Sequence, residues 1–520
     1  MSALRAASME AVSPRQRTVI TLVVMVSTIM QLLDTTIVNV ALPHMKGQLG
    51  ASPEQISWVL TSYVVASSIF MPLTGFFSDR IGLRAYLLVS IAGFTLTSAL
   101  CGLATTLDQI VLFRILQGIL GAALVPLSQM ILIRLYPIEE RGRAMAIWGV
   151  GIMAGPILGP SLGGWLTESW SWHWTFFINV PIGILIWLLA WATLPSTSTR
   201  ERRMDWTGFA LMAIAVAGLQ LILDLGERHD WLDSNLIRSL LVVSIAGLAG
   251  FVWHGLGKGE DPLFDLGIFR DRNFVAAVLL ITTMTLGFYG ATLLVPLMLV
   301  GSLGFSPMVT GFLLAPRGFT TIISSLLAGR LMGHVDGRLL VAAGTLIIAA
   351  GSYPMTGYNL DTTPVQVMIP GMIQGLGLGL IFVPLSTMAY RTLAAHRVPE
   401  ATGVFSLIRS MGGSVGIAIL SAFTARHAQM AWSQLRGGVQ DTAPALRDWQ
   451  LASGLDGEGG ESWRVLAGLV EQQGQMVAYV DAFQFILVVF LLMLPLLLVF
   501  RLPPRDGTRG AAPGPALDSH

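Results

Sequence analysis

The sequence predicts an all-α polytopic membrane protein of fourteen transmembrane helices: a six-helix bundle, two inserted helices and a second six-helix bundle. Three observations predict it. Of 520 residues, 53% are hydrophobic and only 12% are charged, whereas a soluble domain is about one quarter charged. A chain this large with so little charge cannot cover its surface with polar groups, so its outside faces lipid. Disorder is excluded by the same scarcity, because disordered chains are polar and charged. Apolar runs near the ~20 residues needed to cross a bilayer recur from end to end. The opening part of the chain also returns 254 residues later.

The apolar runs lie at residues 18–42, 54–74, 85–104, 108–133, 143–167, 174–194, 207–224, 236–256, 274–300, 307–333, 338–357, 364–389, 401–425 and 478–501. The first is too long for a signal-peptide core and no small-residue cleavage site follows it. With the N-terminus in the cytoplasm, 21 of the 31 Lys and Arg fall on the inner side, seven on the outer side and three inside spans. Inner loops are enriched in Lys and Arg, and one missed helix would invert every later loop and erase the asymmetry. The expected organisation is a cytoplasmic segment 1–17, a first bundle 18–200, the inserted pair with its linker 201–272, a second bundle 273–501 and a disordered cytoplasmic tail 502–520. The second bundle includes an outer loop, 426–477, with Trp432, Trp449 and Trp463 among polar residues. It suits a partner outside the membrane or a solvated hairpin.

The repeat is specific. Leu49-Gly50-Ala51-Ser52-Pro53 matches Leu303-Gly304-Phe305-Ser306-Pro307, and Gly75 and Arg84 match Gly329 and Arg338 at the same offset. Gln117-Gly118 matches Gln374-Gly375 and Val125–Met130 matches Val383–Met388, at offsets of 257–258. Spans 1–4 therefore correspond to spans 9–12 in the same orientation, a parallel repeat of the kind secondary transporters use.

Several function classes drop out. The 31 basic and 30 acidic residues give no net charge that would invite nucleic acid. The single cysteine, Cys101, allows neither a disulfide framework nor a multi-cysteine metal site. A phosphate-binding loop needs Gly-Lys followed by Ser or Thr, and the only Gly-Lys, Gly257-Lys258, is followed by Gly259. Gly375-Leu376-Gly377-Leu378-Gly379 sits in an apolar span with the wrong spacing for a dinucleotide loop and reads as helix packing. Neither zinc-protease, nucleophile-elbow nor Cys/His patterns occur. No enzyme and no cofactor is expected.

Charges inside spans are the informative residues, because each is costly in hydrocarbon. Asp34 lies eight residues from the outer end of span 1, ~12 Å deep. Arg114 lies six residues into span 4, ~9 Å from the same face. Matched depths allow a pair, as a proton-coupling site or as a static ion pair. Span 5 carries Gly151, Gly155, Gly159 and Gly163 four apart, with Pro156, Pro160 and Gly164 among them. Such a stripe is one bare helical face, for static packing or for a kinkable hinge. The inner turn Gly75-Phe76-Phe77-Ser78-Asp79-Arg80-Ile81-Gly82-Leu83-Arg84 holds an acid, Asp79, where topology asks only for bases; Gly75, Asp79, Arg80 and Arg84 are candidates for a conformational latch. Its counterpart to Asp79 is Gly333. Asn39, Gln117, Asp224, Arg317, Gln374 and Arg409 are further candidates for substrate or coupling contacts, although Asp224, beside Glu227, His229 and Asp230 at the outer end of span 7, reads first as reaching the interface.

These motifs together resemble the major facilitator superfamily, fourteen-span drug:proton antiporter branch. Leu33-Asp34-Thr35-Thr36-Ile37-Val38-Asn39-Val40-Ala41-Leu42-Pro43 is similar to its span-1 motif, Arg114-Ile115-Leu116-Gln117-Gly118 to its span-4 motif, and Gly151 to Gly164 to its span-5 antiporter motif. The Gly75–Arg84 turn resembles the loop 2–3 motif, with Leu83 where a basic residue is common. Trp172–Pro181 also fits the branch, and Leu219–Glu227 and Asp261–Leu266 look closest to EmrB-type multidrug efflux proteins. The resemblance implies a major facilitator fold and export of drug-like, hydrophobic or amphipathic compounds from a bacterial inner membrane. It implies a proton gradient as energy source, with Asp34 and Arg114 in proton coupling. It also implies a periplasmic membrane-fusion adaptor and an outer-membrane channel as partners. Export of one endogenous metabolite, lipid or siderophore, and a non-transporting sensor or scaffold, are the competing readings.

Overall fold

The helix boundaries are written locally. Ser13 and Ser52 each accept the backbone N–H three residues on, from Gln16 and Gln55, whose side chains bond back to the cap N–H, and proline follows each cap. Ser306-Pro307 starts its helix as Ser52-Pro53 does. Gly50 ends the first helix in the left-handed region at φ 60° and Gly304 repeats that conformation at φ 69°; glycine enters that region without steric cost.

The computed structural model describes residues 12–137, 140–197, 199–201, 203–257, 265–394, 396–439, 444–453 and 461–500. Among them there is no strand. The long helices of the first half are α1 (Pro14–Leu49), α2 (Pro53–Ile81), α3 (Leu83–Leu103), α4 (Leu107–Leu135), α5 (Arg141–Ser169) and α6 (Trp174–Thr193). Next come α7 (Trp206–Leu225) and α8 (Asn235–Gly257). The second half has α9 (Arg272–Ser302), α10 (Pro307–Leu331), α11 (Gly337–Gly357), α12 (Pro364–Met388), α13 (Val398–Gly438) and α14 (Glu461–Leu491). Among the described residues, thirteen helices are long and apolar enough to cross a membrane. The fourteenth is α5, whose 29 residues exceed the ~20 a span needs.

The halves share one packing plan. α1 packs on α5, α2 on α4, and α3 on α4 and α6; α9 packs on α13, α10 on α12, and α11 on α12 and α14. The halves meet through two equivalent pairs, α5 with α10 and α2 with α13. α7 bridges them: Asp224 accepts a hydrogen bond from Thr61 of α2, and Gln220 donates to Ser414 of α13 at 3.0 Å. One apolar core runs through both halves, and a smaller one, including Ile37, Cys101, Ile110 and Phe176, fills the far end of the first half, the end that bears Gly50.

Two segments are longer as helices than their apolar runs. α1 begins at Pro14 rather than at 18, because the Ser13 cap starts it. In the outer segment 426–477 nearly all the described residues are helical. α13 runs 41 residues to Gly438, a rod of ~60 Å against a bilayer of ~45 Å with its headgroups. Loss of hydropathy ends a span, not a helix, and between Thr424 and Gly437 there is neither Gly nor Pro to stop it. The extension is packed against α14, where Gly474 brings its Cβ position within 3.2 Å of the Trp432 backbone nitrogen. Trp449 lies on a short helix, Pro444–Ser453, between the two. The tail 502–520 and linker residues 258–264 lie outside the described residues.

Candidate functional site

Helices α1, α4 and α6 converge on Asp34. The Arg114 Nη1 of α4 donates to Asp34 Oδ2 at 2.5 Å, and neither side chain is exposed. Gln117 Nε2, one turn along α4, and Asn179 Nδ2 of α6 both donate to Asp34 Oδ1 at 3.0 Å. The carboxylate thus receives three donors, one of them a charged guanidinium.

Arg114 is fixed from the other side. Its Nε donates to the Val59 carbonyl at 3.0 Å, its Nη1 also to Gln117 Oε1 at 2.8 Å, and its Cζ sits 4.1 Å from the Tyr63 ring centroid. Asn179 is held by Ser98 Oγ at 3.1 Å. Three polar atoms in this buried group have no hydrogen-bond partner among the described residues: Arg114 Nη2, Tyr63 Oη and Asn179 Oδ1.

The glycine stripe of α5 is the surface on which α1 lies. A Cβ on Gly155 would stand 2.7 Å from Leu32 Cβ, one on Gly159 2.6 Å from Thr36 Cβ, and one on Gly163 2.9 Å from the Ile37 carbonyl. Gly151 faces Met25, whereas Gly164 faces open space. Thr36 Oγ1 bonds the Gly155 carbonyl at 3.1 Å. Leu32 and Thr36 bracket Asp34 in sequence, so the helix that carries the carboxylate presses its neighbouring residues directly on α5. The α5 helix continues through Pro156 and Pro160.

The second half repeats this site's frame without its ion pair. The Cβ position of Gly118 abuts the Tyr63 carbonyl, and that of Gly375 abuts the Arg317 carbonyl. Gly155 packs on Leu32 and Gly416 on Leu286. Gln117 lies 3.6 Å from Cys101 Sγ, and Gln374 bonds Ser352 Oγ at 2.9 Å and lies 3.2 Å from Met355 Sδ. These contacts equate Ser98 with Ser352, Cys101 with Met355, Tyr63 with Arg317, Asp34 with Phe288 and Arg114 with Gly371. The second half therefore loses both members of the ion pair and places an arginine, Arg317, at the position of Tyr63.

The remaining candidates separate. Gln117 joins the Asp34 group. Asn39 is exposed and bonds the Thr35 carbonyl of its own helix at 3.2 Å. Asp224 is held by Thr61 of α2. Arg409 is 4% exposed, with Nε lacking a partner among the described residues. Arg317 lines a cavity of about 100 Å³ between α5, α9 and α10, its Cζ 5.1 Å from the Phe288 ring centroid. In the inner turn, Gly75 lies against Glu400 of α13, the Asp79 carbonyl accepts from the Arg200 N–H at 2.7 Å, Arg80 stands 5.8 Å from the Phe76 ring, and Arg84 donates to the Trp191 carbonyl at 2.6 Å.

Asn179, Tyr63 and Ser98 were not singled out by the sequence reading. Asn179 carried a usable signal: it lies five residues into α6, ~8 Å from the same end as Arg114.

A model of the Major Facilitator Superfamily matches residues 24–417. The chain is 33% identical to the fatty acid resistance protein FarB of Neisseria gonorrhoeae, over 94% of this chain and 97% of that one. It is 32% identical to the multidrug export protein EmrB of Escherichia coli (strain K12), over 96% and 98%, and 34% identical to the probable multidrug resistance protein EmrY of the same organism, over 93% and 95%. Among solved structures, the human organic anion transporter MFSD10 matches with a TM-score of 0.60 at 14% identity, over 92% of this chain and all of that one. The proton:xylose symporter XylE matches with a TM-score of 0.57 at 14% identity, over 91% and 95%. At such identities the likeness is one of fold.

Proposed function

The chain belongs to the Major Facilitator Superfamily, and from that premise we propose that it is a multidrug exporter, carrying diverse hydrophobic or amphipathic compounds out of the cell in exchange for protons. It is a multi-pass membrane transport protein and not an enzyme. Relatives named as a multidrug export protein and a probable multidrug resistance protein, similar over nearly their whole length, support the export reading. The observation that carries proton coupling is the fully buried Asp34, with one cation and two amides on its two oxygens.

A proton entering from the outside neutralises Asp34 and dissolves its ion pair with Arg114. Arg114 stays where Val59, Gln117 and Tyr63 hold it. Rotation of the Asn179 amide would present its unpaired Oδ1 to the new O–H. The changed attraction between α1 and α4 reaches α5 through Leu32 and Thr36, which press on Gly155 and Gly159. The bundles 18–200 and 273–501 then alternate about the α5–α10 and α2–α13 contacts, with Gly151, Gly155, Gly159 and Gly163, the glycines that α1 covers, as hinge and Gly75, Asp79, Arg80 and Arg84 as latch. Substrate binding from the cytoplasm favours release of the proton inward.

We place the chain in a bacterial inner membrane with both termini cytoplasmic. A periplasmic membrane-fusion adaptor leading to an outer-membrane channel is the proposed partner, and the extension of α13 and α14 offers it a surface. The proton-coupling test is Asp34→Asn in proteoliposomes. An imposed pH gradient should drive no substrate accumulation, while gradient-independent counterflow persists. Gradient-driven accumulation at the wild-type level would overturn the assignment.

A further inference from the structure

The cavity between α5, α9 and α10 has an electrostatic character that the export reading leaves unspecified. Among the described residues, Arg317 is the only ionisable one on its wall. The guanidinium makes no hydrogen bond or ion pair among the described residues, its Nε is buried and unpartnered, and its one neighbour of note is the face of Phe288. In the first half the equivalent positions hold a carboxylate and its arginine. In the second half Phe288 replaces the carboxylate and Gly371 replaces the arginine. A Cβ on Gly371 would find only Arg317 Cβ within 4 Å, at 3.7 Å, among the described residues, so there is free space at the base of the Arg317 side chain.

The other wall groups sharpen the chemistry. Thr292 and Thr321 commit their hydroxyl protons to the Phe288 and Arg317 carbonyls of their own helices, at 2.7 and 2.8 Å. Ser161 of α5, on the facing wall, is exposed and makes no hydrogen bond with the described residues. Met153, Ala291 and Leu314 supply apolar surface. The unmet donors are a planar guanidinium and a hydroxyl contributed by opposite halves. Cations are repelled from such a wall, and neutral solutes leave its charge unpaired. A carboxylate accepts two N–H bonds from one guanidinium in a fork, and an apolar body covers the rest.

We propose that Arg317 is the anion-recognition residue of the transport cavity, and that the substrates it selects are amphipathic carboxylates. This rests on the export reading above and deepens it by naming a substrate class. Because the cavity draws residues from both halves, an anion bound there touches both sides of the alternating interface.

The test compares octanoate, octanol and octyltrimethylammonium, three probes of one tail and three head groups. Binding to the full chain in nanodiscs is measured by tryptophan fluorescence near neutral pH, where a carboxylic acid is ionised, with empty nanodiscs subtracted. Wild type should bind octanoate about tenfold tighter than octanol, the worth of one charge-assisted contact, and octyltrimethylammonium weakest. Arg317→Gln should erase the octanoate preference and keep octanol binding, while Arg317→Lys keeps most of it. Phe288→Asp restores the missing acid beside Arg317 and should erase the preference as well; it decides the matter should Arg317→Gln fail to fold. Equal binding of the three probes by wild type, or an octanoate preference surviving in both Arg317→Gln and Phe288→Asp, overturns the proposal. Proton-driven transport is scored separately. If wild type selects octanoate through Arg317 but moves nothing under a pH gradient, the export reading fails and this site stands. If it exports other compounds without favouring octanoate, the site fails and export stands.

Discussion

The Arg114 guanidinium and the Asp34 carboxylate meet at 2.5 Å with no exposure of either, and among the described residues each is the other's only full counter-charge. The two residues are not equivalent when left alone. Asp34 can take up a proton, whereas arginine cannot shed one in a protein. Breaking a buried pair costs about 3–5 kcal/mol when one charge is stranded. Asp34→Asn is therefore expected near the upper end of that range and Arg114→Met well below it. Replacing both should recover much of the loss. Thermal unfolding of the four proteins in one detergent checks this; equal destabilisation by the two single variants would contradict the asymmetry.

Asn179 supplies the third donor to Asp34, at 3.0 Å, and is itself positioned by Ser98. Hydrogen bonds to a charged group are worth about 1.5–3 kcal/mol. Asn179→Leu should cut gradient-driven efflux by roughly tenfold or more, since 1.4 kcal/mol is a factor of ten, with a smaller effect on counterflow. Measuring both rates in the same proteoliposomes separates coupling from general damage. A proportional fall in the two would assign Asn179 to packing alone.

What was legible in the sequence follows from what membrane insertion penalises. A charge in a span is conspicuous, so Asp34 and Arg114 stood out and their depths could be compared. Tyr63, Ser98 and Asn179 are neutral, cost little, and raise no such flag. The stripe from Gly151 to Gly163 was legible as a bare face, but spacing on one helix does not say what covers it; that α1 does, around Asp34, needed the structure. Arg317 was visible as a buried cation, yet its lack of an acid emerged only when packing equated Phe288 with Asp34. The helical extension beyond residue 425 was missed in extent because hydropathy reports where lipid ends, and α13 continues past that point.

The α1–α5 contact gives a graded prediction with an internal control. Gly155→Ala would place a methyl 2.7 Å from Leu32 Cβ, and Gly159→Ala one 2.6 Å from Thr36 Cβ, whereas Gly164 has nothing within 4 Å. Overpacking costs about 1–3 kcal/mol. Gly155→Ala and Gly159→Ala should lower both unfolding temperature and efflux, and Gly164→Ala should leave both unchanged. A Gly164→Ala variant as impaired as the other two would show that the motif acts through helix flexibility rather than through its contact with α1.

Closure at the end of the bundle that bears Ser13 depends on Gly75. A Cβ there would lie 2.9 Å from both the Cα and the nitrogen of Glu400, backbone atoms that can yield only if α13 moves as a unit. The equivalent glycine, Gly329, faces Ala146, Arg143 and Gly142 of α5, so the two approaches clasp the halves together in parallel. An overpacking cost of about 1–3 kcal/mol set against a two-state equilibrium moves it roughly tenfold or more. Gly75→Ala should therefore shift the population toward the state in which this end is open. The only cysteine, Cys101, is buried, so a Cys101→Ser background gives a clean reporter. Ser78, one turn beyond Gly75 and buried, lies on the same face. In that background Ser78→Cys should react with a membrane-impermeant maleimide roughly tenfold faster when Gly75→Ala is also present, and slower again when substrate draws the halves back together. Unchanged labelling alongside unchanged efflux would mean that α2 and α13 do not separate during the cycle, and that the close approach of Gly75 to Glu400 is static packing.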